Sequence, residues 1–344
     1  MKPGGEIDLI SRLAQMAGAA AAKDPDLLVG IGDDCAVIVH GGGLLAVTTD
    51  TLVESVHFDL EYFDPWHLGR KTAGVNLSDM AAMGARPRWA FLNIASRRRL
   101  PPGFWDEFTD GLLSRLSQFG AVLAGGDTVS SPDGISLTLT LIGELIPDKW
   151  MGRAGARAGD IIYCSGYLGD AASGLQCLKA FRRRGGRGRS LLLPQKRPAI
   201  RRLVDRHLDP EPRVALGRAL AESGLVSAAI DLSDGAATDL AHICKSSGVG
   251  AEVEASLLPI SRAARSVCRL YGLSPLWLAV SGGEDFELLW TVPPENEALM
   301  IETAARVLGH RPFRIGRLID AQGVCLKAGG RVADIAFSGY EHIV

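Results

Sequence analysis

The stretch GIGDDCAVI, Gly30 to Ile38, sets two adjacent carboxylates, Asp33 and Asp34, between short apolar runs. A turn accounts for that much, because Gly and Asp favour turn dihedrals and Asp bonds its own following amides. What gives the stretch weight is its recurrence. Asp50 closes the apolar run in VTTD, Asp127 follows LAGG, and Asp231 and Asp234 follow the apolar start of SAAIDLSD. Asp79, in VNLSDMAAMG, lies one turn after Asn76 among Val75, Leu77, Met80 and Met83, where a solvated acid would waste a good burial position. Taken singly, each acid is an ordinary cap or turn residue. Seven together are different: like charges at strand ends repel, and divalent cations relieve that repulsion most simply. With the hydroxyls of Thr48, Thr49 and Ser233 they form a hard oxygen donor set, suited to magnesium or manganese and not to zinc. Magnesium shares its coordination sphere with substrate phosphates, so the pattern points to a nucleotide or another polyphosphate.

Working outward, CAVIV and LLAVTT read as two strands joined by Gly41-Gly42-Gly43, and Asp64-Pro65 opens a helix running to about Met83 before Gly84. WAFLNIA reads as a strand, FWDEFTDGLLSRLSQF as a helix, AVLAGG as a short strand and ISLTLTLIGEL as a long alternating one. Strands alternate with helices, and some strand pairs are expected to be antiparallel. At IPDKWMGRAGARAGD periodicity gives way to Pro, Gly and charge, and IIYCSG starts a second succession. Two domains are therefore expected, 1–150 and 151–344, as suits a chain of 344 residues.

Composition excludes several classes. Lys and Arg number 37 against 39 Asp and Glu, a net charge of -2, which leaves no footprint for bulk nucleic-acid binding. The six cysteines are dispersed without a C-x-x-C pair, as expected of buried free thiols. Glu6 and Asp8 stand where a secretory signal would be basic, and no apolar run approaches the roughly 18 residues of a membrane span. A reduced, cytoplasmic protein is expected. There is no Walker loop, no G-x-G-x-x-G and no protein-kinase catalytic loop. The Gly-rich turns GIGDD, AGGD and SGGED can serve instead as a phosphate cradle, with Arg153 as a planar cation. Glu284, in SGGEDFELL, either faces a ligand or enters a hairpin, and His57 is either structural or a phosphate contact beside Asp50. The basic stretch FRRRGGRGRS, residues 181–190, reads as a solvated loop.

The motifs together resemble the thiamine-monophosphate kinase family, in order along nearly the whole chain: GIGDDCAV, TTDTLVESVHF, KTAGVNLSDMAAMGARPRW, AGGDT, LIGE, MGRAGARAGD, SGYLGDAASGL, AIDLSDGAATDL, SGGEDFELL, IGRL and GYEH. The resemblance implies transfer of the γ-phosphoryl group of ATP to thiamine monophosphate with several Mg2+ ions. It also implies a two-domain α/β (α+β) fold of the aminoimidazole-ribonucleotide synthetase kind, whose N-terminal sheet pairs across a homodimer. By motif match, Asp34, Thr48, Thr49, Asp50, Asp79, Asp127, Asp231 and Asp234 are metal ligands, with Asp50, Asp79 and Asp127 holding the metals in register for catalysis. Gly126, Asp127, Arg153 and Ser233 are nucleotide contacts; His57, Glu284 and Tyr340 are contacts to the acceptor. Thr109 stands where family members can carry a tyrosine near the nucleotide. The sister enzymes fit poorly: the hydrogenase-maturation dehydratase needs a C-terminal cysteine, whereas this chain ends GYEHIV, and the selenium enzyme needs a reactive residue near its N-terminus, whereas Cys35 lies inside the GDD motif.

Overall fold

The computed structural model describes residues 5–97, 99–183 and 198–342. The first half holds helices α1 (Glu6–Ala21), α2 (Pro65–Met83) and α3 (Phe104–Gln118), and strands β1 (Leu27–Val29), β2 (Ala36–His40), β3 (Gly43–Val53), β4 (Arg86–Ser96), β5 (Val122–Ser130) and β6 (Ile135–Leu145). These strands form one sheet in the order β1-β2-β3-β6-β4-β5. Only β4 and β5 pair in parallel, joined by the crossover through α3; the other neighbours are antiparallel.

The second half holds α4 (Asp170–Arg183), α5 (Pro198–Leu208), α6 (Val214–Ser223), α7 (Ala236–Ser247), α8 (Arg262–Tyr271), α9 (Pro275–Ser281) and α10 (Glu297–Leu308). Its strands are β7 (Ile161–Cys164), β8 (Ala228–Asp231), β9 (Gly250–Glu254), β10 (Leu288–Val292), β11 (Phe313–Ile319), β12 (Val324–Ala328) and β13 (Arg331–Asp334). They form a second mixed sheet, β13-β12-β9-β11-β7-β10-β8, in which β9 and β12 are parallel. Most of FRRRGGRGRS, from residue 184 on, lies outside the described residues.

Helix α2 joins the two halves. Asp64 caps it, its carboxylate accepting from the His67 N–H at 2.9 Å, Pro65 occupies the first turn, and Gly84 ends it in the left-handed region at φ 72°. Most of the helix is buried, so it has no solvent face of the kind a surface helix shows. That burial is possible because its residues are small or bond internally: the Thr72 hydroxyl donates to Leu68 O at 2.8 Å, and the Asn76 amide to Thr72 O at 3.3 Å. Leu68, Leu77, Met80 and Met83 fill the core, each contributing about 1.5–3 kcal/mol through burial. Glycines set the crossing with α3: a Cβ on Gly69 would lie 2.0 Å from Phe108 O, and one on Gly111 2.0 Å from Trp66 O. On its other side α2 meets α6 and β8.

Strand β6 alternates perfectly, with Ile135, Leu137, Leu139, Leu141 and Leu145 buried toward the helices. The opposite face of the sheet is polar at its centre, where Thr49 meets Thr140 at 3.0 Å and Thr51 meets Thr138 at 2.8 Å. Toward the β5 edge the exposed side chains become apolar: Phe91, Val122 and Val129.

Candidate active site

Strand alternation puts Thr48 and Asp50 of β3 on the face that α2 covers, and α2 presents Asp79 to them. The Thr48 hydroxyl donates to Asp79 Oδ2 at 2.5 Å, and the Asp50 carboxyl lies close enough to that of Asp79 for each to influence the other's protonation. Asp231 ends β8, where Ser78 of α2 donates to its Oδ2 at 2.6 Å. Asp34 enters from the loop before β2. Single ligand oxygens of Asp34, Asp79 and Asp231 all lie within 4.8 Å of one another, although the three residues come from distant parts of the chain.

Arg153 closes this group from the connection between β6 and β7. Its guanidinium donates to Asp34 Oδ1 from Nη2 at 2.5 Å and from Nε at 3.2 Å, and its backbone N–H donates to Asp33 Oδ2 at 3.1 Å. Burial works against the Arg153 charge, but the Asp34 carboxylate more than offsets it and the net effect is a raised pKa. Asp34 Oδ2 is buried without any partner. Burial, then neighbouring carboxylates, pushes Asp79 and Asp231 well above the usual range. Asp33, Asp50 and Asp234 are pushed up to about 6, burial again being the largest cause. An orphaned buried oxygen, clustered carboxylates held partly protonated and a purely oxygen donor set fit a hard divalent cation such as Mg2+.

Several other residues singled out from the sequence stand apart from this group. The Thr49 hydroxyl is engaged with Thr140 on the opposite face of the sheet from Asp79, so the structure does not bring it to the acids. Asp127 is exposed on the edge strand β5, outside the three-carboxylate group, with its Oδ1 accepting the Thr128 N–H at 2.8 Å. Gly126, beside it, has φ 149°, and a Cβ there would fall 1.8 Å from Leu92 O. Thr109 is half-buried on α3.

A second cluster forms around Glu284. Its backbone N–H donates to Ser233 O at 2.7 Å, which ties the SGGED turn to the loop carrying Asp231 and Asp234. Tyr340 N–H in turn donates to Asp234 O at 3.0 Å, laying the C-terminal segment across the same loop. Glu284 Oε1 accepts from Lys71 Nζ at 2.6 Å, and His207 Nδ1 lies 3.0 Å from Oε2. Burial disfavours the Glu284 charge, yet Lys71 and then His207 hold it well below the usual carboxylate range. The His57 ring feels both Glu284 and Lys71. Its Nδ1 accepts the Val53 N–H at 2.9 Å, so in the neutral ring Nε2 carries the proton and donates to His342 Nε2 at 3.2 Å. Tyr340 Oη stands 3.5 Å from His342 Nδ1, and the His342 N–H donates to Glu6 Oε2 of α1 at 3.0 Å.

Lys71, His207, His342, Ser78 and Asp239 were missed by sequence reasoning. Asp239 is buried, accepts the Gly235 N–H at 3.0 Å and fixes the turn after Asp234. Lys71 carried a weak signal: it is the last cation of α2, standing with Arg70 before the small and apolar run TAGVNL and two turns before Asp79. His207 carried none.

Two mixed sheets bridged by a buried helix, with carboxylates gathered beside it, have counterparts among known families. Residues 32–145 match the model for the N-terminal domain of AIR synthase related proteins, and residues 157–328 match that for the C-terminal domain. The class of the chain is thereby defined as an AIR synthase related protein. Thiamine-monophosphate kinase of Escherichia coli K12 is 38% identical over 98% of each chain. The crystal structure of thiamine-monophosphate kinase from Stenotrophomonas maltophilia K279a is 36% identical, with a TM-score of 0.74 over 93% of this chain and 96% of that one. The structure of AaThiL complexed with AMPPCP and TMP is 30% identical, with a TM-score of 0.80 over 96% of this chain and 95% of that one. The chain belongs to the thiamine-monophosphate kinase family. No helix among the described residues is long and apolar enough to cross a membrane.

Proposed function

We propose that this chain transfers the γ-phosphoryl group of ATP to thiamine monophosphate, giving ADP and thiamine diphosphate by direct in-line displacement. One observation carries the reading: oxygens of Asp34, Asp79 and Asp231 converge within 4.8 Å, with Asp34 Oδ2 left unpartnered, in a chain whose relative AaThiL is complexed with AMPPCP and TMP. Asp34, Asp50, Asp79 and Asp231, with the Thr48 hydroxyl, would hold Mg2+; Asp127 and Asp234 are further candidates. Bound there, Mg2+ supplies charge neutralisation between the phosphates of the two substrates.

The protein's own groups do the rest. The attacking oxygen is that of a phosphate monoester, whose second pKa is about 6, so it is already ionised near neutral pH and no strong general base is required. This agrees with the absence of any Ser-His-Asp or Cys-His arrangement among the motifs. Arg153 stands beside Asp34, where its fork can pass from carboxylate to phosphate oxygens of the nucleotide. Ser233 and Gly126 complete the nucleotide side. Glu284 and Tyr340 are tied to the 231–235 loop through their backbones and His57 feels Glu284, so in this reading the three receive the organic end of the acceptor. In this reading residues 1–150 supply most of the acids and 151–344 complete the nucleotide and acceptor sites. ADP release by the purified protein tests it: release that needs both Mg2+ and thiamine monophosphate is expected, and release indifferent to thiamine monophosphate would defeat the acceptor assignment.

A second copy of the chain covers the open face of the first sheet. Val122 and Val129 are 57% and 53% exposed on β5, an unpaired edge strand, and Phe91 adds to the same apolar area. An uncovered edge of this kind is an aggregation hazard that a symmetric partner removes. A homodimer is expected in sedimentation equilibrium, and Val129→Glu is expected to shift it toward monomer; a wild-type monomer at assay concentrations would count against this pairing.

A further inference from the structure

We propose that Lys71 is a positioning residue for the acceptor: it holds the Glu284 carboxylate aimed at the place where the cationic organic end of thiamine monophosphate is bound. The inference rests on the acceptor reading above and deepens it.

Lys71 is fully buried in the middle of α2, and its ammonium meets Glu284 Oε1 at 2.6 Å, His207 O at 3.3 Å and the Phe63 ring at 5.3 Å. A packed apolar side chain would serve stability as well at such a position, so structure alone does not require the charge. Glu284, by contrast, keeps 27% of its side chain exposed, and its backbone is held at φ 68°, a left-handed conformation unfavourable to a glutamate. Of the two charged side chains only that of Glu284 reaches solvent, so an incoming cation meets the negative end of the pair. The charged or titratable groups that act on or feel Glu284 include Lys71 from α2, His207 from α5 and His57 from the segment after β3. Burial, then Lys71, pushes His207 below its usual range, and of these two neighbours Lys71 has the larger effect on Glu284. Tyr62 and Phe63 wall the same corner, with ring centroids 6.3 and 5.8 Å from that of His207.

Placement on α2 adds a consequence. The helix carries Lys71 at the acceptor end and Asp79 in the acid cluster, and its rise of about 1.5 Å per residue sets them about 12 Å apart along the axis. Because α2 is buried between both halves, that span is rigid. It matches an acceptor whose phosphate and cationic ring are separated by a linker, and it disfavours short phosphate monoesters.

The test is steady-state kinetics of Lys71→Met, with both substrates varied. Losing the ammonium lets the half-buried Glu284 carboxylate take a proton, so the KM for thiamine monophosphate is expected to rise at least about tenfold, while the KM for ATP stays within about twofold. Raising the pH is expected to close part of that gap in Lys71→Met and to leave Glu284→Gln unchanged, a difference that a merely structural role would not produce. Lys71→Met/Glu284→Gln, which removes both charges and remains available if the single variant does not fold, is expected to match Glu284→Gln alone. An unchanged thiamine monophosphate KM, an equal rise in both KM values or a further loss in the double variant would overturn the proposal. If the wild type does not phosphorylate thiamine monophosphate at all, the acceptor reading fails by itself. The infrared carboxyl bands of wild type and Lys71→Met then decide separately whether Lys71 keeps Glu284 ionised.

Discussion

Replacing Asp50 by Asn is expected to lower kcat by about 10³-fold, the scale seen when one preorganised electrostatic contact to a transition state is lost, without unfolding the protein. The physical reason is the conflict built into the cluster. Asp50 is raised to about 6 by burial and by Asp34, and Asp79 is raised well above the usual carboxylate range by burial and by Asp50, Asp231 and Asp34. Carboxylates forced together in this way cost stability when no cation is present, as functional sites commonly do. An amide at position 50 keeps the shape and can still bond Asp79, but it removes one repelling charge. The metal-free variant is therefore expected to melt at the same temperature as the wild type or higher, while turnover is lost. Circular dichroism melts and ADP release on the same preparations check both halves, and an inactive variant that is also unfolded would mean that Asp50 is a structural residue.

The second large effect is that of magnesium on stability, and its pH dependence has a definite sign. Asp33, Asp50 and Asp234 have folded-state values near 6, above the unfolded aspartate value of about 3.9. The folded state thus binds these protons more tightly than the unfolded chain. Their contribution is fully present below the unfolded value and is lost as pH rises through about 6. Glu284 and Glu287 shift the other way, so the stability they contribute is present above the ordinary glutamate range and is lost only on acidification. Magnesium competes with the protons, and at a concentration of about 100 times its Kd it adds about 2.7 kcal/mol. Scanning calorimetry is expected to show a larger magnesium-induced rise in Tm at pH 8 than at pH 5. An equal rise at both, or none at pH 8, would contradict a cation site built from these carboxylates.

Much of this arrangement was legible in the sequence, for identifiable reasons. Asp64-Pro65 and Gly84 bounded α2 because caps act locally, and ISLTLTLIGEL showed β6 because one of its faces is buried and the other is not. The acids stood out because they recur after apolar runs. The alternation that revealed β6 also separates Thr48 and Asp50 from Thr49, yet grouping all three by motif hid that they face opposite sides of the sheet. What could not be read was pairing across long separations. Glu284 meets Lys71 across 213 positions and Arg153 meets Asp34 across 119, and no local pattern encodes either contact. The near-complete burial of α2 was hidden too, since its Gly, Ala, Ser and Thr residues carry little hydrophobic signal and are buried because neighbouring backbones approach closely.

The claim that one direct displacement joins the nucleotide to the acceptor is tested most directly by following the label from [γ-32P]ATP in a single turnover with Mg2+ and thiamine monophosphate. The label is expected in thiamine diphosphate in step with ADP, with none retained on the protein at any time. Label released as inorganic phosphate whether or not thiamine monophosphate is present, or a protein-bound phosphoryl group that forms before product, would contradict it.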